Sequence, residues 1–157
     1  MVPCLNGFVT DTEIRRAVAG DVPAIVAMLA DDPLGAKRER PGDPAYAEAF
    51  TEIDADPRQV LAVAVADGEV VGTLQLTFIP GLSRLGATRA LIEAVRVRSD
   101  RRGGGLGAHL VRWAVDTARE RGAAVVQLTT DASRVDAHRF YERLGFAATH
   151  VGMKMVL

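Results

Sequence analysis

The chain has 157 residues, of which 48% are hydrophobic and 25% charged, and its formal net charge at pH 7 is −1. This length and composition predict one soluble globular domain, residues 1–157, with residues 1–10 as a loosely held N-terminus. A net charge near zero gives no electrostatic reason to expect nucleic acid as a partner. The single cysteine, Cys4, excludes an internal disulfide framework and a thiolate metal cage.

Targeting and membrane signals are missing from the sequence pattern. No basic segment followed by an apolar run opens the chain, and no uninterrupted apolar run has transmembrane length. We therefore expect a cytoplasmic protein with no membrane partner.

The N-terminal part of the chain alternates short structured segments with a polar loop. Residues 12–17 predict a first strand, and Asp21 is the expected N-cap of a helix that carries Pro23 in its first turn. The stretch 31–44 is polar and contains three prolines, which predicts a loop. A second helix is expected at about residues 45–54.

The clearest local signal is a β-hairpin. Two β-rich runs, Gln59–Ala66 and Val70–Phe78, flank an Asp67-Gly68-Glu69 connection, and Asp-Gly is a strong turn signal. An irregular loop from Pro80 to Thr88 follows, and then a strand at about 89–98.

The remaining elements alternate between helix and strand. The pattern predicts helices at 106–121 and 135–144, a central strand at 124–130, and one or two last strands within 147–157. Gly145 is the expected left-handed cap of the second helix. This order indicates an α/β (α+β mixed) architecture, one mixed sheet with helices on both faces.

A glycine-rich loop stands between the strand at 89–98 and the helix at 106–121. Its four glycines lie within five residues and remove every Cβ that would keep a ligand from the backbone: Gly103, Gly104, Gly105 and Gly107. The first N–H groups of the helix have no intrahelical partner, and Arg101 and Arg102 add positive charge. The loop therefore predicts a phosphate or pyrophosphate site, with a flexible turn before a surface helix as the alternative.

Two blocks of this sequence resemble one protein family. Arg102-Gly103-Gly104-Gly105-Leu106-Gly107 fits the Arg/Gln-x-x-Gly-x-Gly/Ala signature of the GNAT superfamily of N-acetyltransferases. Ala137 to Phe146 resembles the family's C-terminal block, in which an Ala-x-x-x-Tyr helix runs into Leu-Gly-Phe. The resemblance covers about residues 89–157. It implies the GNAT-like acyl-CoA N-acyltransferase fold, with a central mixed, mostly antiparallel sheet.

The resemblance also implies a cosubstrate, acetyl-CoA, and the residues that bind it. Backbone atoms of Val95-Arg96-Val97 would hold the pantetheine arm, and the Val95 N–H would polarise the thioester carbonyl. The pyrophosphate would lie on the loop made of Arg102, Gly103, Gly104, Gly105, Leu106, Gly107 and Ala108. Many members have asparagine where this chain has Arg134, so we expect Arg134 to contact coenzyme A or to remain a solvated surface arginine.

Glu93 is the candidate general base. It lies in an apolar strand and, without a bulge, would share a face with Leu91, Val95 and Val97. Its alternative is an ion pair with an arginine, or plain exposure on an edge. GNAT enzymes commonly place a glutamate base on this strand, which matters because an alkylammonium must lose a proton before it can attack a thioester.

Tyr141 is the candidate general acid. The family's tyrosine at this point of the motif protonates the leaving thiolate, and the alternative is packing against Phe140 and Phe146. The three histidines are scattered without ligand spacing, so we expect no metal.

The sequence therefore favours an N-acetyltransferase that moves an acetyl group from acetyl-CoA directly to a primary amine of a small molecule. The loops 31–44 and 79–88 carry both signs of charge, which suits an amino acid or a similar polar amine. Homodimers are common in the superfamily, and the sequence identifies no interface.

Two alternatives remain. One is a non-catalytic acyl-CoA-binding module. The other is a dinucleotide-binding protein, because the glycines also satisfy Gly-x-Gly-x-x-Ala, but the 26 residues after Asp131 are too few to complete a doubly wound sheet.

Overall fold

A five-stranded sheet organises the fold, with its strands side by side in sequence order. The first four strands pair antiparallel with their neighbours. The strands are β1 (Glu13–Arg16), β2 (Gln59–Ala66), β3 (Glu69–Pro80), β4 (Thr88–Val97) and β5 (Val125–Leu128). The mixed sheet agrees with the predicted fold class.

The computed structural model describes residues 11–157. Its chain forms two compact units, Met1–Gln127 and Leu128–Leu157. The predictions for residues 1–10 and for Cys4 lie outside the described residues. None of the helices in the described part is long and apolar enough to cross a membrane.

The predicted hairpin is confirmed. Ala66 pairs with Glu69 across a two-residue turn. The turn residues Asp67 and Gly68 have φ of 53° and 76°. A tight hairpin turn of this kind requires positive φ at both central residues, which is why an Asp-Gly pair favours it.

Helices cover the two faces of the sheet in the first unit. The helices α1 (Val22–Ala30) and α2 (Ala45–Ala55) contact β2 and β3 on one face, around a core that includes Ile25 and Val63. The helix α4 (Leu106–Glu120) contacts β3 and β4 on the opposite face, where a Cβ on Gly72 would lie 2.9 Å from a methyl group of Leu110.

Helix α1 begins after Asp21, as predicted, with Pro23 in its first turn. The Asp21 side chain makes no capping hydrogen bond to the helix that follows it. It accepts hydrogen bonds from the Val18 N–H at 2.9 Å and from the Arg15 guanidinium at 2.7 Å. It therefore fastens the end of β1 to the start of α1, and the hydrogen bond from Arg15 lowers the pKa of Asp21 below its usual range.

The predicted loop between β3 and β4 contains a one-turn segment, α3 (Ser83–Gly86), with an unusual backbone. Arg84 and Leu85 both adopt left-handed conformations, with φ of 55° and 60°. Left-handed backbone costs a non-glycine residue roughly 1–2 kcal/mol.

The second unit contains α5 (Val135–Arg143), and Gly145 follows it with φ of 94°, as predicted for a left-handed cap. The predicted last strands within 147–157 are not present: no residue after Leu128 belongs to a strand in the described chain. The apolar alternation of Val151, Met153 and Met155 favours a strand locally. A strand forms only where a second strand accepts its hydrogen bonds, and this run has none.

Candidate active site

The glycine loop ends β4 and begins α4, and its backbone matches an anion site. Gly103 and Gly105 have φ of 80° and 86°, conformations that side chains other than glycine rarely adopt. Within residues 11–157, no acceptor is bonded to the six backbone N–H groups from Gly103 to Ala108. Unbonded N–H donors at the positive end of a fifteen-residue helix fit a pyrophosphate, so the residues present suit the coenzyme that the motif implies.

Three arginines surround the loop, and each is paired with a carboxylate. Arg98 binds Asp100 and Glu69, each at 2.7 Å, and these hydrogen bonds raise its pKa above the usual value. Arg101 binds Asp67 at 3.2 Å. The Arg102 side chain is the most accessible of the three, with 52% exposure against 30% and 25% for the other two.

Arg102 connects the loop to two other parts of the chain. Its Nε donates to the carbonyl oxygen of Val97 at 3.1 Å. Its Nη2 lies 3.1 Å from the Asp31 carboxylate, at the end of α1. Because the pair is exposed to solvent, an incoming phosphate can compete with Asp31 for this guanidinium.

A β-bulge interrupts β4 between Glu93 and Arg96. Gln75 of β3 pairs with Glu93, and Thr73 pairs with Arg96. Two β4 residues, Ala94 and Val95, therefore oppose one residue of β3, and Ala94 has a positive φ of 53°. The backbone of the bulge lies outside the regular ladder, as a segment that receives a ligand requires.

The bulge changes which side chains share a face with Glu93. Paired residues of an antiparallel ladder point to the same side, so Glu93 shares the α1 and α2 face with Gln75, Thr73 and Arg96. The prediction that Glu93 shares a face with the residues after it, which assumed a strand without a bulge, is therefore wrong. Val97 pairs with Gly72 and belongs to the α4 face.

Glu93 is exposed, and no basic side chain within residues 11–157 lies at salt-bridge distance from it. Arg96, the nearest arginine in sequence, binds the Asp32 carboxylate at 3.0 Å and the Val95 carbonyl oxygen at 2.9 Å. The alternative of an ion pair for Glu93 is thus not observed. The roles of Glu93 as base and of Val95, Arg96 and Val97 in cofactor binding stay predictions.

Tyr141 lies on α5 within the second unit. Its ring meets Phe140 and Phe146 edge-on, with ring centroids 5.1 and 5.9 Å apart. The aromatic packing proposed as the alternative role is therefore present, and the role as general acid stays a prediction.

The start of α5 is built on Asp131. Its carboxylate accepts hydrogen bonds from the Ser133 hydroxyl at 2.6 Å and N–H at 2.9 Å, which lower the pKa of Asp131. Its carbonyl oxygen lies 3.1 Å from the His138 ring and accepts the Arg134 N–H at 3.0 Å. The Arg134 side chain is exposed, and its contact with coenzyme A stays a prediction.

Comparison with known proteins gives the family. A sequence model described as the acetyltransferase (GNAT) family matches residues 24–146. This chain belongs to the GNAT family. The resemblance of the two blocks is therefore confirmed, and the chain is an acetyl-CoA-dependent N-acetyltransferase.

Individual relatives of this GNAT enzyme have narrower names. It is 30% identical to the aminoalkylphosphonate N-acetyltransferase of Salmonella typhimurium over 88% of this chain and 86% of that protein. It is 34% identical to the streptothricin acetyltransferase of Streptomyces lavendulae over 90% of this chain and 72% of that protein. The crystal structure of a transcriptional regulator from Bacillus halodurans C-125 has a TM-score of 0.90 and 51% identity, covering 93% of this chain and 99% of that one.

Sequence reasoning missed the two aspartates that hold Arg102 and Arg96. Asp31 and Asp32 directly follow α1, where the negative end of the helix dipole disfavours carboxylates. Two acids at this position indicate nearby cations, and that signal was available in the sequence. Which arginines pair with these two aspartates depends on the fold.

Proposed function

We propose that this GNAT enzyme transfers an acetyl group from acetyl-CoA directly to the primary amine of a small polar molecule, such as an amino acid or a close analogue. The observation that carries the proposal is the exposed Glu93 carboxylate, which has no cationic partner within residues 11–157. Such a group is available to receive a proton from a substrate ammonium. Acetyl-CoA supplies the activated acetyl thioester when it is bound.

The glycine loop and β4 would bind the cosubstrate. The N–H groups of Gly103 to Ala108 and the Arg102 guanidinium would bind its pyrophosphate. The Val95 and Val97 backbone would hold the pantetheine arm beside the bulge. The Val95 N–H would stabilise negative charge on the thioester carbonyl oxygen as it develops.

Glu93 and Tyr141 would move the protons. Glu93 would take one proton from the ammonium, directly or through water, which frees the nitrogen lone pair for attack on the thioester carbon. As the new C–N bond forms and the C–S bond breaks, the Tyr141 hydroxyl would give its proton to the departing thiolate. The acylated nitrogen would then release its second proton, which restores the Tyr141 hydroxyl through solvent and leaves a neutral amide. No side chain of this protein becomes acylated in this scheme.

The relatives support a small amine as the acceptor, since two of them are named for an aminoalkylphosphonate and for streptothricin. The mixed charge of the loops 31–44 and 79–88 agrees with a polar acceptor. A single catalytic domain, a cytoplasmic location, homodimer formation and the lack of a nucleic-acid partner remain parts of the proposal.

Thermal unfolding in the presence of acetyl-CoA, coenzyme A, NAD and ATP tests cosubstrate binding. A ligand that binds only the folded state at a hundredfold excess over Kd adds about 2.7 kcal/mol of stability. We expect only acetyl-CoA and coenzyme A to stabilise the folded protein. In a second assay, we expect release of the coenzyme A thiol when acetyl-CoA is mixed with the enzyme and a small amine. Stabilisation without thiol release would support the acyl-CoA-binding module, and stabilisation by NAD alone would support the dinucleotide alternative.

A further inference from the structure

Three polar side chains form a row on the sheet face that carries Glu93. Gln75 of β3 is the cross-strand partner of Glu93, Thr77 follows two residues later on the same face, and Gln59 of β2 pairs with Thr77. All three are partly buried. Other positions on this face, such as Val63, belong to the hydrophobic core beneath α1 and α2.

The hydrogen bonds within the row leave its N–H donors unused. The Gln59 side-chain oxygen accepts both internal bonds, from the Gln75 amide at 3.0 Å and from the Thr77 hydroxyl at 2.8 Å. Both N–H groups of the Gln59 amide and one of Gln75 have no acceptor within residues 11–157. These N–H donors remain open to solvent, so the row can bind the oxygen atoms of a ligand.

The charges at the two ends of the row have opposite signs. Glu93 lies beside Gln75, and Arg89 lies on the same face four residues earlier, about 13 Å along the strand. The Arg89 side chain is exposed and has no carboxylate partner within residues 11–157. A zwitterion whose ammonium lies at Glu93 and whose anionic group points along the row in the direction of Arg89, without reaching it, matches this charge order.

We propose that Gln59, Gln75 and Thr77 form the acceptor-recognition subsite and that it binds the carboxylate or phosphonate oxygens of a compact zwitterionic amine. This inference rests on the proposed function, because the position of Glu93 defines where the amine lies. Gln75 is the cross-strand neighbour of Glu93, at about 5 Å, so an oxyanion that the Gln75 amide binds is separated from the amine by only a few bonds, and Gln59 lies one strand further away.

Steady-state kinetics with aminomethylphosphonate, glycine, β-alanine and propylamine test the subsite. We expect kcat/KM of the wild type to be at least about tenfold lower for propylamine than for the three oxyanionic amines. Propylamine has no oxyanion that could accept hydrogen bonds from the N–H donors of the row. Gln75→Met and Gln59→Met should lower kcat/KM for the oxyanionic amines more than they lower kcat/KM for propylamine, and should thereby remove most of this preference. Gln59→Glu should reduce kcat/KM for the oxyanionic amines further, because a carboxylate repels them.

Thr77→Val removes the hydroxyl that bonds Gln59 and should reduce the preference, and Thr51→Val is its matched control. The Thr51 hydroxyl bonds the Ala47 carbonyl oxygen of its own helix, so Thr51→Val should leave the preference unchanged. Comparable loss with propylamine in the glutamine variants would reject recognition of the oxyanion in favour of a structural role. If the wild type acetylates propylamine as well as the others, the subsite is wrong and the proposed function stands. If no amine in the panel releases thiol, both fall.

Discussion

Arg102 of the glycine loop and Asp31 at the end of α1 are 71 positions apart in the sequence and form an ion pair at 3.1 Å. Asp32, the residue after Asp31, binds Arg96 of β4 at 3.0 Å. The Asp32 and Arg96 side chains are only 13% and 14% exposed, whereas those of Asp31 and Arg102 are more than half exposed. The Asp32–Arg96 pair therefore holds the loop after α1 in place, and the exposed Asp31–Arg102 pair is the one with which we expect a phosphate to compete.

Asp31→Asn should tighten coenzyme A binding. The substitution removes a carboxylate that competes with the pyrophosphate for Arg102, and an exposed ion pair is worth up to about 1 kcal/mol, or about fivefold in Kd. Isothermal titration calorimetry with coenzyme A measures the change. Asp54→Asn is the matched control, since Asp54 is 52% exposed and pairs with Arg16.

Arg102→Ala removes the other member of this ion pair and tests the contact of Arg102 with the pyrophosphate. It should raise Kd for coenzyme A and leave KM for acetyl-pantetheine, which lacks the pyrophosphate, unaltered. Equal effects on coenzyme A and on acetyl-pantetheine would contradict the phosphate contact. An unchanged Kd in Asp31→Asn, or one equal to that of Asp54→Asn, would mean that the ion pair does not compete with the ligand.

Glu93→Gln should lower kcat/KM for the amine by about a hundredfold at neutral pH, because general-base catalysis commonly contributes 10²–10⁴-fold. An alkylammonium titrates near pH 10, so the rate of the variant should rise about tenfold per pH unit as the free amine accumulates. A pH profile of kcat/KM for both proteins provides the measurement. A variant that keeps the wild-type profile would remove Glu93 from the mechanism.

Tyr141→Phe should lower kcat by about ten- to a hundredfold while Kd for acetyl-CoA stays nearly constant. The phenylalanine preserves the ring contacts with Phe140 and Phe146, so the fold should be retained. Single-turnover kinetics, with thermal unfolding as the control for structure, separate the two effects. Full activity would assign protonation of the thiolate to water or to another group.

Asp21→Asn should lower the free energy of unfolding by about 2 kcal/mol at pH 7, since hydrogen bonds to charged groups contribute about 1.5–3 kcal/mol. The pKa of Asp21 is lowered in the folded protein by the hydrogen bond from Arg15. Its contribution is therefore complete above the unfolded pKa of about 3.9 and is lost as the pH falls through the folded pKa.

Urea unfolding of both proteins between pH 3 and pH 7 (a range of roughly four units across the ordinary carboxyl pKa) measures this difference. Asp116→Asn is the control, because Asp116 pairs with Arg119 on the exposed surface of α4 and should contribute less than about 0.5 kcal/mol. A stability difference for Asp21→Asn that does not shrink at low pH would show that the carboxylate charge is not its source.

Local patterns predicted much of the fold. The Asp67-Gly68 turn requires two positive φ values and was identified from those two residues between two β-rich runs. Gly145 likewise ends α5 in a left-handed conformation as its position indicates. The strands predicted within 147–157 failed because the alternation of Val151 and Met153 reports side-chain preference and contains no information about a pairing partner.

By itself, the sequence determined the family, the hairpin and the glycine loop, because each depends on residues that are close together in the chain. The tertiary structure decided which side chains surround Glu93. The bulge at Ala94 arises from the register between β3 and β4, and it places Arg96 on the same face as Glu93, where Arg96 binds Asp32. Strand register and long-range ion pairs are properties of two segments at once, so a pattern within one segment cannot specify them.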